Sequence, residues 1–367
     1  MRILILNGPN LDLLGRREPE VYGSTSLEAL EARVSAWADD LGVVATFHQA
    51  NHEGDLVDAI QACAGVDGIV INPGALTHTS RSIPDAIRSV GVPVVEVHIS
   101  NVKEREAWRA DSFVSEAVVR TIYGRGFTGY RDALRHLVNR TGFPVQTLRY
   151  GSDSDNVVDL RLPAAGDSSG LVVLVHGGFW LREWERDTME TLAVDLTAKG
   201  FATLNLEYRR FGAGGGWPGS AHDVLTAANF VGQVPALSDT TCAMIGHSAG
   251  GHLALWAAER SGGRPLALTV GLAAVTDLVS LAGSDGVGSQ PASRLIEAGA
   301  PKQVGAVPGK TLLVHGADDD VVPVSHSTRL GSDARVELVK ELGHFEMLDP
   351  RRAHWPLVVE ALNATLK

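Results

Sequence analysis

The sequence predicts two α/β domains in one chain, each built on a largely parallel β-sheet with helices packed against it. The chain has 367 residues, and domains usually run to about 100–200 residues. Short β-rich runs alternate with amphipathic helical stretches from Arg2 onward, a pattern typical of parallel sheets. Around residues 141–144 the helical pattern stops, and several strands follow before any helix. We therefore expect domains at residues 1–141 and 142–367.

The composition is that of a globular chain, with 44% hydrophobic and 20% charged residues. A net charge of -11 repels nucleic-acid phosphates and anionic membranes, so neither is an expected partner. Cys63 and Cys242 lie far apart in apolar surroundings, which indicates buried thiols and no disulfide framework or metal-ligand spacing. The chain opens directly on a strand, and no apolar run reaches about 18 residues. A cytoplasmic protein is the expectation.

The first domain is predicted to be a doubly wound parallel sheet. Its strands are the β-rich runs RILIL, VVATF, GIVIN and VPVVEV. Helical periodicity predicts helices over residues 26–41, 55–63, 80–90 and 129–140, the first of them capped by a serine.

Four polar clusters, at residues 7–10, 15–23, 72–80 and 96–100, lie at or just after these strands. The carboxyl ends of strands in such a sheet converge on one crevice. Asn, Arg, Tyr and His together suit a small, oxygen-rich anion, with His and Tyr available for proton transfer. Each piece also has an ordinary reading: NGPN is equally typical of a turn, and His98, among apolar residues, fits a buried structural histidine.

The joint order of the motifs LNGPNL, LLGRREPEVYG, INPGALTHTS, PDAI, VVEVHISN and REAWR resembles the type II 3-dehydroquinate dehydratase family over almost all of residues 1 to about 140. The resemblance implies a flavodoxin-like fold, no metal or cofactor, and a homo-oligomer built from trimers, up to a dodecamer. The chain departs from the family pattern at Asp12, Leu76, Phe113 and residues 120–126, all away from the implied catalytic positions.

The resemblance also implies a role for each site residue. Tyr22, on a lid, takes a proton from the carbon beside the substrate ketone, and Arg17 favours its phenolate. Donors around Asn10 stabilise the enolate, and His98, held by Glu96, protonates the departing hydroxyl. The implied substrate-binding positions are Asn72, His78, Arg109 and the backbone of Ile99 and Ser100, with Asp85 reaching a neighbouring subunit's site.

In the second domain, LVVLVHGGFW and AMIGHSAGGHLALWAA each run from a buried strand into a Gly-rich turn. Ser248 lies within G-x-S-x-G between a strand and a helix, the pattern of a nucleophile elbow. The glycines of the first motif can aim backbone N–H groups at one oxygen. A carboxylate among residues 318–320 and then His344 follow in the order Ser, acid, His.

Residues 145–367 resemble the α/β-hydrolase superfamily, in its esterase and kynurenine formamidase-like branch, through HGGFW, GHSAGGHLA and HGADDDVVP. The pattern HGxxDxxVP favours Asp319 as the acid, with Asp318 as the alternative. The implied mechanism is attack by Ser248, with His344 as base and an acyl-enzyme intermediate. The implied oxyanion donors are the N–H groups of Gly178 and Ala249.

The substrate of the second domain is not readable from the sequence. Phe179, Trp180 and Trp217 suggest an aromatic or apolar substrate group, although plain packing is as common. Two active domains form the leading interpretation, and a hydrolase that releases quinate or shikimate from an ester is a hypothesis from the fusion alone. The alternative is that one domain is a non-catalytic oligomerisation or ligand-sensing module. A nucleotide-binding protein is disfavoured, because neither G-x-G-x-x-G after the first strand nor GK[ST] is present.

Overall fold

The computed structural model describes residues 1–17, 24–102, 106–109, 111–140, 143–164, 168–260, 266–307 and 310–366. The chain divides into two compact units, Met1–Thr141 and Gly142–Lys367. Among the helices in these ranges, none has the length and apolar character needed to cross a membrane.

The first unit is a five-stranded parallel sheet in the order β2-β1-β3-β4-β5. Its strands are β1 (Arg2–Asn7), β2 (Val44–Gln49), β3 (Gly68–Asn72), β4 (Val94–His98) and β5 (Arg120–Tyr123). Its helices are α1 (Leu27–Asp40), α2 (Glu53–Gln61), α3 (Ser82–Ser89) and α4 (Thr128–Asn139). The predicted doubly wound, flavodoxin-like sheet is confirmed, and β5 adds a strand in a segment where none was predicted.

Local sequence explains where these elements begin and what they bury. The hydroxyl of Ser26 accepts a hydrogen bond from the backbone N–H of Ala29 at 3.3 Å, so Ser26 caps α1 as predicted. Strands β3 and β4 are buried along their whole length, as expected for central strands covered on both faces. Side chains of β1 alternate between two apolar clusters, Ile3 and Ile5 in one and Leu6 in the other.

The loops after β1 and β3 pack backbone to backbone. Asn7 and Asn72 are partners in the register of the two strands, and the N–H of Gly8 donates to the carbonyl of Asn72 at 2.7 Å. A side chain at Gly8 would place its Cβ 2.6 Å from the carbonyl oxygen of Pro73. Only glycine allows this approach, which sets two of the predicted polar clusters side by side.

The second unit is an eight-stranded sheet in the order β13-β12-β11-β10-β8-β9-β7-β6, antiparallel only where β7 meets β6 and β9. Its strands are β6 (Gln146–Arg149), β7 (Val157–Arg161), β8 (Leu171–Val175), β9 (Ala202–Leu206), β10 (Cys242–His247), β11 (Leu268–Leu272), β12 (Thr311–Gly316) and β13 (Arg335–Val339). Its helices are α5 (Glu190–Ala198), α6 (Gly219–Phe230), α7 (Ala249–Ala258), α8 (Leu278–Ala282), α9 (Ser289–Glu297), α10 (Ser325–Thr328) and α11 (Trp355–Leu366).

The centre of this sheet is formed by β8 and β10, which are buried at every position. Successive side chains of β8 enter opposite apolar clusters, Val172 with one and Val173 with the other. Both strands end in the Gly-rich turns singled out in the sequence, so the rigid middle of the sheet presents the two turns together.

Candidate active sites

A cavity open to solvent lies at the carboxyl ends of β1, β3 and β4 in the first unit. This is the edge at which a doubly wound sheet binds its ligands. Eight of the residues predicted for the first site line it: Asn10, Arg17, Asn72, His78, His98, Ile99, Ser100 and Arg109. The cavity therefore collects amides, cations and imidazoles in one place.

His98 is held from behind by a buried carboxylate. Its Nε2 lies 2.9 Å from Oε1 of Glu96, which is fully buried. Glu96 also accepts hydrogen bonds from the hydroxyls of Thr77, of Ser112 at 3.0 Å and of Thr121 at 3.1 Å. Because an ionised carboxylate only accepts, Nε2 of His98 donates, and Nδ1 is the nitrogen that can meet a substrate.

The same hydrogen bonds set the charge of Glu96. Burial alone raises the pKa of a carboxyl group, since it disfavours the anion. The bonds from His98, Thr77 and Ser112 outweigh burial and hold the pKa of Glu96 below its usual range. Glu96 is consequently anionic at neutral pH and accepts the hydrogen bond from Nε2 of His98.

His78 and Arg109 form a polar wall of the cavity around an exposed indole. Nδ1 of His78 lies 2.6 Å from the carbonyl oxygen of Asp111, and its ring meets Trp108 edge-on at 5.1 Å. The guanidinium of Arg109 lies 4.1 Å from the ring centre of Trp108, and its Nε donates to Glu106 at 2.7 Å. Burial lowers the pKa of His78, so this ring is a neutral donor beside a permanent cation.

Asn10, Tyr22 and Asp85 differ from the other predicted residues of this site. Asn10 lines the cavity in a left-handed backbone conformation, φ 66°, with its N–H donating to Asn51 at 2.8 Å. Tyr22 lies outside the described residues. Asp85 is exposed on α3 and does not line the cavity, so the chain by itself gives it no part in the site.

Sequence reasoning missed Tyr130 and the hydroxyls around Glu96. Tyr130 is fully buried on α4, and its hydroxyl bridges Asn7 and Asn72. Thr77 falls inside the INPGALTHTS motif, which was a usable signal. Tyr130 gave none, because a tyrosine within an amphipathic helix is normally a packing residue.

In the second unit, Ser248 sits on a strained turn between β10 and α7. Its backbone angles, φ 53° and ψ -118°, lie outside the usual region for an L-residue. A Cβ at Gly246 would overlap the carbonyl of Gly250, and one at Gly250 would overlap the carbonyl of Val175. The glycines therefore make this turn possible, and the geometry is that of a nucleophile elbow.

His344 pairs with Asp319. Nδ1 of His344 lies 2.8 Å from Oδ2 of Asp319, and Oδ1 accepts from the backbone N–H groups of Val321 at 2.9 Å and Val322 at 2.8 Å. Burial raises the pKa of Asp319, but hydrogen bonds, with His315 and His344 foremost, outweigh it and hold that pKa well below its usual range. The partner of His344 is thus Asp319 and not Asp318.

Two further histidines flank this pair. Nε2 of His315 lies 3.3 Å from Oδ2 of Asp319, and its Nδ1 lies 2.7 Å from the hydroxyl of Ser327. Nε2 of His247 lies 3.1 Å from the carbonyl oxygen of His344. Burial lowers the pKa of His247 to about 3, so it remains neutral next to the His344 ring.

The HGG turn lies directly against the elbow. A Cβ at Gly177 would stand 2.8 Å from the carbonyl oxygen of His247 and 3.0 Å from Cβ of Ser248. Gly178 has φ 102°, and Trp184 packs so closely on it that no side chain would fit. Ala249 is the first residue of α7. Backbone N–H groups from the two turns can therefore face one oxygen near Ser248.

The aromatic residues beside His344 are only partly those expected. Phe345 meets the His344 ring edge-on at 5.2 Å and stacks on Trp184 at 5.7 Å, while Phe179 meets Trp184 at 6.3 Å. Trp180 is fully buried in the core, so plain packing, the alternative left open by the sequence, applies to it. Trp217 also packs into the core, against Trp256 at 5.2 Å.

Comparison with known proteins separates the same two parts of the chain. The BD-FAE family model matches residues 158–282. The crystal structure of esterase B from Lactobacillus Rhamnosis (HN001) superposes with a TM-score of 0.53 at 18% identity, covering 65% of this chain and 90% of that one. A truncated carbohydrate esterase from gut microbiota gives 0.52 at 18% identity, covering 61% and 97%. The second unit has the α/β-hydrolase fold of these esterases.

The first part matches more strongly. The family model described as dehydroquinase class II matches residues 1–138. "Catabolic 3-dehydroquinase 1" of Neosartorya fischeri is 53% identical over 136 residues, which are 37% of this chain and 91% of that protein. Through these residues the chain belongs to the class II dehydroquinase family.

Proposed function

We propose that the protein is a bifunctional enzyme. Residues 1–141 dehydrate 3-dehydroquinate to 3-dehydroshikimate, and residues 142–367 hydrolyse a carboxylic ester or formamide. The observation that carries the first activity is the buried Glu96–His98 pair at the wall of a cavity lined by the predicted amides and cations. The Asp319–His344 pair beside the strained Ser248 elbow supports the second.

In the proposed dehydration, the phenolate of Tyr22, favoured by Arg17, removes a proton from the carbon beside the ketone. The electron pair moves onto the ketone oxygen, and donors around Asn10 stabilise the enolate. The enolate then re-forms the ketone as the carbon–oxygen bond to the departing hydroxyl breaks. His98, protonated and held by Glu96, gives that oxygen its proton, so that water leaves and an enone remains.

Binding and assembly complete this proposal. Arg109 holds the substrate carboxylate, while Asn72, His78 and the backbone at Ile99 and Ser100 hold its hydroxyls. Asp85, exposed on α3, reaches a neighbouring subunit's site in a trimer-based homo-oligomer.

In the proposed hydrolysis, Oγ of Ser248 attacks the carbonyl carbon while His344, oriented by Asp319, takes its proton. The N–H groups of Gly178 and Ala249 hold the oxyanion. His344 returns the proton to the leaving group, and water then releases the acyl-enzyme by the same route. Within the described residues Oγ of Ser248 makes no hydrogen bond; such catalytic contacts often tighten only when substrate binds.

The aromatic residues beside His344 support a substrate with an aromatic or apolar group. A hydroxycinnamoyl ester of quinate or shikimate has such a group, and its hydrolysis would supply precursors for the dehydratase. We test this link by offering the purified protein hydroxycinnamoyl-quinate esters, N-formylkynurenine and simple aryl esters. If the quinate esters stay intact while either of the others is cleaved, the link between the two activities is wrong.

The two-activity proposal is tested with wild type, Tyr22→Phe and Ser248→Ala. Dehydration is followed by the enone absorbance of 3-dehydroshikimate, and hydrolysis by an aryl acetate assay. Loss of dehydration only in Tyr22→Phe, with loss of ester cleavage only in Ser248→Ala, supports two independent sites. Absence of either activity in the wild type would instead favour the alternative, in which that domain is an oligomerisation or sensing module.

A further inference from the structure

Tyr130 joins the ends of two strands beneath the cavity. Its hydroxyl lies 2.7 Å from Oδ1 of Asn7 and 3.0 Å from Nδ2 of Asn72. Asn7 ends β1 and Asn72 ends β3, and only Asn72 lines the cavity. Oδ1 of Asn72 also accepts from the N–H of Gly74 at 3.3 Å. All three linked side chains are buried.

The direction of these hydrogen bonds is fixed by chemistry. Burial raises the pKa of Tyr130 far above its usual range, so its hydroxyl stays protonated near neutral pH. That proton goes to Oδ1 of Asn7, which can only accept. The phenol oxygen therefore accepts from Nδ2 of Asn72. A flipped Asn72 amide would set its NH₂ group against the N–H of Gly74, donor facing donor.

We propose that Tyr130 is a positioning residue of the dehydratase, which fixes the amide of Asn72 so that it presents one N–H and one oxygen lone pair to a substrate hydroxyl. A hydroxyl both donates and accepts, so it matches the pair left free. The inference rests on the proposed dehydration and on Asn72 as a binding residue. Without Tyr130, among the described residues only the 3.3 Å hydrogen bond from the N–H of Gly74 holds the orientation of the amide, and the match is weakened.

The test is a double-mutant cycle on dehydration of 3-dehydroquinate, with Tyr130→Phe, Asn72→Ala and their combination. Losing one hydrogen-bonded orientation costs about tenfold in kcat/KM, mainly through KM. We expect that loss in the wild-type background and less than about twofold in the Asn72→Ala background. Combination with Arg109→Ala, a binding residue that Tyr130 does not touch, is expected to be additive.

The possible results distinguish failure of the positioning role from failure of the proposed dehydratase function. A wild type without dehydratase activity would overturn the proposed function. An active wild type in which Tyr130→Phe has no effect, or costs the same factor in both backgrounds, would overturn the positioning role, since a purely structural tyrosine acts independently of Asn72. If Tyr130→Phe does not fold, Asn7→Ala removes the acceptor at the other end of the chain of bonds, and its loss must likewise depend on Asn72.

Discussion

Oε1 of Glu96 lies 2.9 Å from Nε2 of His98, and both side chains stand on one face of β4 because they are two residues apart. The strand thus supplies the imidazole together with the carboxylate that orients it. Three hydroxyls complete the shell of the carboxylate. Both side chains are buried and hydrogen-bonded to each other.

Glu96→Gln is expected to lower kcat for dehydration by about 10²-fold with little change in KM. The amide cannot stabilise a protonated His98, and general acid catalysis is worth about 10²–10⁴-fold. The enone absorbance of the product measures the effect. Glu116→Gln, an exposed change at a 3.7 Å contact with Arg88, is the matched control and is expected to be silent. Equal activity of Glu96→Gln and wild type would contradict the role of Glu96.

The Asp319–His344 contact predicts a large difference between two adjacent carboxylates. Asp319→Asn removes the charge that orients His344 and is expected to lower ester hydrolysis by about 10³–10⁴-fold. Asp318→Asn, at an exposed neighbouring position, is expected to stay within about twofold of wild type. An aryl acetate assay of both variants decides the matter. A greater loss in Asp318→Asn would reverse the assignment of the acid.

Gly177→Ala is expected to lower ester hydrolysis by about 10²–10³-fold while leaving dehydration unchanged. The new Cβ meets the carbonyl of His247 at 2.8 Å and Cβ of Ser248 at 3.0 Å, so the oxyanion turn must shift. A displaced oxyanion donor costs about 10²–10³-fold in kcat. Gly232→Ala adds the same methyl group where nothing lies within 4 Å and serves as the control. Full activity of Gly177→Ala would show that the turn is not part of the site.

Four histidines in the second unit are buried and neutral, which predicts sensitivity to mild acid. Burial lowers the pKa of His247 to about 3 and those of His252, His326 and His354 to about 4, against an ordinary value of 6.5. The unfolded chain therefore binds protons first. Stability is fully present above pH 6.5 and is lost as the pH falls from 6.5 toward 4.

His252 allows a clean test, because within the described residues neither of its ring nitrogens has a hydrogen-bond partner. Each pH unit below 6.5 costs about 1.4 kcal/mol per such histidine, so about 2 kcal/mol at pH 5. Between pH 7.5 and 5, the unfolding free energy of His252→Leu is expected to fall by about 2 kcal/mol less than that of the wild type. Urea inactivation of ester hydrolysis measures both. His222→Leu, at an exposed position, is expected to follow the wild type. Parallel curves for all three proteins would remove His252 as a source of acid sensitivity.

The features that the sequence could predict depend either on neighbouring residues or on the order of family motifs along the chain. The Ser26 cap and the four predicted strands of the first domain depend on nearby residues, and these predictions are confirmed. The β5 segment RTIY was missed because it is short, and its inner residues become buried only when β4 pairs with it. A local sequence pattern cannot show which distant strand will pair with a segment.

The same limit explains which site residues went unnoticed. Tyr130 meets Asn7 across 123 positions, and Thr121 meets Glu96 across 25. His315 lies within the buried strand β12, where a histidine is normally structural, yet it faces Asp319. Pairings of this kind are made by the fold, so only coordinates reveal them. The roles of Tyr22 and Asp85 stay predictions.

The close packing around Ser248 also limits which substitutions this domain can accept during evolution. Gly246 and Gly250 each fill a space that no side chain can enter, so their replacement threatens folding itself. The hydroxyl of Ser248 has no comparable structural duty. Under the proposed hydrolytic activity, descendants that lose it are expected to exchange the serine and keep both glycines, so that a surviving glycine pair marks common ancestry.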